Sequence, residues 1–66
     1  MEINWQILTE DTLIARHKGF TLHAEERDYN AWVWQVVRGG LCIASGECCD
    51  SGSAMALAEI ELTKII

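Results

Sequence analysis

The side chains that could do chemistry here are few: His17 and His23, the cysteines Cys42, Cys48 and Cys49, and ten carboxylates. A histidine base needs a partner within hydrogen-bond reach. Pairing across Lys18-Gly19 sets His17 and His23 on opposite faces of one hairpin, so they do not converge. Cys48 or Cys49, near a helix N-terminus, could be a nucleophile, but no histidine lies close enough to serve as base. Cys48-Cys49 is a vicinal pair whose side chains diverge on a strand, and no C-x-x-C pair is present, so a zinc site is not expected. Glu25, Glu26 and Asp28 offer oxygen ligands, but without the glycine-punctuated loop of a calcium-binding hand. No catalytic residue, metal or cofactor is expected, and the chain is not expected to be an enzyme.

What remains is charge. The 66 residues hold ten acids and five bases, for a net charge of −5 and a pI near 4.7. Direct nucleic-acid binding needs a basic patch, which five scattered bases do not supply. An acidic balance favours solubility or a basic partner. Met1-Glu2-Ile3-Asn4 lacks the basic and apolar regions of a signal peptide, and no apolar run reaches the ~18 residues of a membrane span. The odd, closely spaced cysteines do not read as a secreted disulfide framework. The expected compartment is the cytosol, with no membrane partner.

The elements that must position the acids follow from pattern. One domain is all that this length allows, and half the residues are apolar, enough for a small core. Ile3, Trp5 and Ile7 alternate with polar residues and read as a strand. Thr12–His17 and Phe20–Glu25 flank Lys18-Gly19 as a tight hairpin. Glu26 to Asn30 reads as a polar turn. Ala31–Arg38, dense in Trp and Val, is the strongest strand. Gly39-Gly40 suits a type I′ turn into Leu41–Gly46, with Val36 opposite Ile43 and Val37 opposite Cys42. Ser51-Gly52-Ser53 offers caps for a helix from Ala54 to Ile66. Its inward stripe is Ala54, Met55, Ala58, Leu62 and Ile65, with Glu59 and Thr63 opposite and Ile60 exposed. The expected fold is α+β: an antiparallel β-meander of three to four strands followed by one C-terminal α-helix packed on one sheet face.

Sequential antiparallel strands send alternate loops to opposite ends. The first, third and fifth loops therefore share an end, which gathers Glu10, Asp11, Glu25, Glu26, Asp28, Glu47 and Asp50, with only Arg27 among them. Arg16, Lys18, Arg38 and Lys64 fall at the other end. Acidic loops also aid solubility, and Glu47, Asp50 and Lys64 complement the helix dipole. The functional reading is that the acidic end docks on a basic surface of a protein or ribonucleoprotein complex. A monomer is preferred to a dimer.

Trp32 and Trp34 share a face and read as core rather than as a base-stacking platform, since single-strand RNA binders pair aromatics with bases rather than acids. If the helix covers that face, Val33, Gln35 and Val37, with Cys42 and Ala44, form an exposed apolar patch on the other. The alternative function is thus a small cytosolic protein–protein interaction module or homodimer using that patch.

A short, proline-free, acidic chain that runs AWVWQVVRGGLCIASG and then SAMALAEIELTKII resembles the small phage-encoded anti-CRISPR proteins. The resemblance is one of type: size, acidity and the order of meander then helix. It carries over no individual residue. It implies a non-enzymatic stoichiometric inhibitor in the bacterial host cytosol. Such a protein acts as a DNA mimic, laying negative charge on the DNA-binding groove of a CRISPR interference complex and excluding target DNA.

Overall fold

The computed structural model describes residues 2–66. Five strands precede one helix: β1 (Gln6–Thr9), β2 (Thr12–His17), β3 (Phe20–Asp28), β4 (Ala31–Arg38), β5 (Leu41–Cys48) and α1 (Ser51–Ile65). They form one antiparallel sheet in the order β1-β2-β3-β4-β5. The α+β meander-then-helix order is as expected, but the sheet has five strands rather than three to four, because Gln6–Thr9 joins it as an edge.

The turns explain the meander. Lys18-Gly19 and Gly39-Gly40 all have positive φ, at 50°, 83°, 59° and 80°, which is the twist-matching type I′ geometry. The β2–β3 register is the expected one, with His17 opposite Phe20 and Ala15 opposite Leu22. The segment expected as a polar turn, 26–30, is mostly strand. β3 continues to Asp28, and the turn narrows to Tyr29-Asn30, with Asn30 at φ 54°. Asparagine tolerates that left-handed region.

Two corrections concern faces. Val37 meets Cys42 as expected, but Val36 meets Ala44, because Ile43 is an extra residue in a bulge. A one-residue insertion moves every later side chain to the other face. Ala44 therefore lies beneath the helix, not on the patch with Val33. The second correction is at the N-terminus. Ile3 and Trp5 pack against the core before the strand begins, while Ile7 in β1 is 78% exposed. The strand expected from Ile3 to Ile7 is thus a packed arm followed by a solvated edge.

Ala15, Phe20, Leu22, Ala24, Trp34 and Val36 from the sheet bury against Ala54, Ala58 and Leu62 from the helix. Alanine on both sides lets backbone approach backbone. Gly46 serves the same end: a Cβ there would stand 2.7 Å from the Trp34 indole. The ring lies across β5 at the one position with no side chain. Of the expected helix stripe, Ile65 is 41% exposed instead of buried, and Ile60 is exposed as expected. Among the described residues no helix is long and apolar enough to cross a membrane.

Candidate functional site: the acidic end

The site is built from strand ends and turns. The loops at 10–11, 29–30 and 49–50 share one end of the sheet by topology. All seven acids expected there stand at that end. Glu10 and Asp11 form the β1–β2 turn and are exposed. The Glu26 backbone N–H donates to the Asp11 carbonyl at 2.9 Å, which ties that turn to β3. Asp28 accepts from the Tyr29 backbone N–H at 2.7 Å.

Glu25 and Glu47 sit within strands rather than in loops. Both pair with Val33, so their side chains share the open face of the sheet. Glu26 pairs with Trp32, which pairs with Cys48, on the helix-bearing side. The acidic end therefore presents carboxylates on both sides of the sheet's rim rather than on one plane.

Asp50 has a structural task as well. It is the N-cap of α1: its carboxylate accepts from the Ser53 backbone N–H at 2.7 Å and from the Ser53 hydroxyl at 3.2 Å. The cap is thus Asp50 and not a serine as the sequence led us to expect. These hydrogen bonds favour the charged form and hold its carboxyl below the ordinary 3.8.

Among the described residues the only cation at this end is Arg27, and its Nε lies 2.7 Å from Glu25 Oε1. Glu10, Asp11, Glu26, Asp28, Glu47 and Asp50 form no salt bridge among the described residues. A half-open cleft of about 360 Å³ lies between the β3–β4 turn and the end of β5, with Trp32, Asn30, Glu47 and Cys48 in its lining.

The bases are at the other end. Lys18 is in the β2–β3 turn, and Arg16 and Arg38 are within two residues of a turn there. The Arg38 guanidinium lies 5.2 Å over the Phe20 ring. The helix starts at the acidic end, so Lys64 in its last turn lies about 20 Å along the axis. The charge is arranged along the strands as a dipole.

The other chemistry-bearing side chains do not assemble. His17 pairs with Phe20 on the helix side, and His23 pairs with Ile14 on the open side. His17 Nε2 is shielded from solvent without a hydrogen-bond partner among the described residues. Cys42 is at the Gly-Gly end of β5, while Cys48 and Cys49 are at the acidic end. Cys48 Sγ is 3.5 Å from the Asp50 carbonyl. Among the described residues, no group of three His, Cys, Asp or Glu could hold a metal ion.

Sequence reasoning misplaced Glu59. Expected on the outer side of the helix, it is half-buried and accepts a 2.8 Å hydrogen bond from Trp5 Nε1. Helical spacing could not reveal this, because the partner arrives from an arm 54 residues away. It also missed the Glu25–Arg27 pair, which strand alternation could have found: residues two apart share a face.

No protein-family model, curated protein or solved structure matches this chain.

Proposed function

We propose that the chain is a non-enzymatic, stoichiometric inhibitor whose acidic end docks on a basic nucleic-acid-binding surface of a larger complex. A CRISPR interference complex, with its Lys/Arg-rich DNA groove, is the target this reading names, in keeping with the resemblance noted above. The observation that carries the reading is the charge at one end: seven carboxylates against a single guanidinium, itself engaged by Glu25.

The physics is that of surface complementarity. Unpaired carboxylates on a rigid rim offer acceptors at fixed positions to Lys and Arg side chains. The strands hold Glu25, Glu26 and Glu47 in place, so little entropy is lost when they dock. The basic end points away from the contact, which orients the approach.

The test is direct. Target-DNA binding by a purified interference complex is measured with and without the chain. Inhibition that saturates at a fixed molar ratio and weakens with salt supports the reading. DNA binding that is untouched at excess inhibitor, across the complexes tried, removes it.

A further inference from the structure

The segment 2–9 is attached to the domain from outside. It consists of the arm, with Ile3 and Trp5 packed on the core, and of β1, which meets only β2 among the elements. All four β1 residues are exposed, Ile7 at 78%. The segment is held by the β2 ladder, by the apolar contacts of Ile3 and Trp5, and by the 2.8 Å bond from Trp5 Nε1 to Glu59. None of these contacts depends on the chain turning back at Glu10-Asp11.

That turn is the poorly fitting hairpin of the meander. Glu10-Asp11 is a two-residue loop between Thr9 and Thr12, which pair with each other. A loop of that length matches the strand twist only as a type I′ or II′ turn, with positive φ at one or both residues. Lys18-Gly19 and Gly39-Gly40 meet that condition, whereas neither Glu10 nor Asp11 has positive φ. The mismatch coincides with a register shift: an extra residue, Leu8, stands between the Ile7–Leu13 and Thr9–Thr12 pairs. Two adjacent carboxylates in so short a loop also repel each other.

A short hinge that fits its strands poorly invites exchange of the segment beyond it. We infer that the chain forms an exchanged dimer, in which residues 2–9 of each copy leave their own sheet and take the same place on the other. With Glu10-Asp11 extended, β1 and β2 of each copy run on as one strand, and two such strands pair antiparallel about a two-fold axis. Trp5 of each copy then donates to Glu59 of its partner, and Ile3 and Trp5 pack on the partner's core. The occupant is the one seen in this structure: the surface that takes the segment from its own chain takes it from a second copy through the same contacts. The exchange closes on itself, so it stops at two copies. Only the hinges differ between the two forms. In the dimer they lie side by side at the two-fold axis with their carboxylates together, so salt should favour it.

The test uses the full chain in reductant. A concentrated sample is warmed to its unfolding midpoint, cooled and sedimented, since exchange requires the segment to come away. A species of twice 7.4 kDa should appear, and its share should rise with concentration and with salt. In a dimer made from equal parts of isotope-labelled and unlabelled chain, the Trp5 indole proton of one copy should show an NOE to helix protons of the other. Glu10→Asn with Asp11→Gly, which installs a type I′ turn, should leave circular dichroism unchanged and raise the dissociation constant about tenfold. The inference is overturned by a chain that stays monomeric into the millimolar range, or by a dimer without the interchain Trp5 contact. A dimer whose affinity ignores the hinge substitution or falls with salt overturns it equally. No docking partner enters these measurements, so exchange and docking stand or fall separately.

Discussion

Trp5 Nε1 donates to Glu59 Oε2 at 2.8 Å, joining the N-terminal arm to the middle of the helix. The bond closes nearly the whole chain into one loop. Together with Ile3 and Trp5 packing on the core, it holds the arm in place before β1 begins. A charge-assisted hydrogen bond of this kind contributes about 1.5 kcal/mol net. Glu59→Ala and Trp5→Phe should each lower the urea-unfolding free energy by about that amount. The double variant should cost less than the sum of the two, because the shared bond is lost once. Full additivity would show that the two side chains do not act together.

Gly46 is required by Trp34. A methyl group there would meet the indole at 2.7 Å, and the ring is confined between β5 and the core. Gly46→Ala should cost about 1 to 3 kcal/mol through overpacking. Gly46→Ala combined with Trp34→Leu should lose less than the two changes summed. Thermal unfolding of the four proteins checks this.

Much of this fold was legible because local signals agreed. Glycine in both I′ turns fixed the hairpins, and the dense β4 fixed the centre of the sheet. The acidic end followed from topology alone, since alternate loops share an end whatever the register. Faces were harder. The bulge at Ile43 has no local signature, yet it moves Ala44 beneath the helix. Trp5 reads as a strand residue by alternation, and only its tertiary contact with Glu59 reveals a packed arm. Asp50 stands next to the expected serine caps, and choosing among neighbouring cap residues needs the backbone conformation itself.

The Asp50 cap makes stability depend on acidity. Its carboxyl titrates below the ordinary 3.8 in the folded chain. The stabilisation is therefore fully present above the unfolded value and is lost as pH falls through the lower folded one. Asp50→Ala should lower Tm at neutral pH. The gap between the original chain and this variant should narrow as pH drops below 3.8. A gap that stays constant through that range would show that the charged form is not the one that caps.

Lys18 adopts φ 50°, a left-handed conformation that lysine adopts at a cost. Lys18→Asn should stabilise the domain by about 0.5 kcal/mol. The substitution lies at the basic end, so inhibition should be unchanged. Denaturant melts and the DNA-binding assay, run on the same preparation, report both.

The central claim is that the acidic end is the docking surface, and charge reversal there tests it most directly. Glu25, Glu26 and Asp28 are replaced together by lysine, and a control variant reverses Arg16 and Lys18 at the opposite end. Both are assayed for inhibition of target-DNA binding by the interference complex, with circular dichroism to confirm folding. The account predicts that the first variant folds and no longer inhibits, while the second inhibits as the original chain does. Intact inhibition by the folded Glu25/Glu26/Asp28 variant would contradict it.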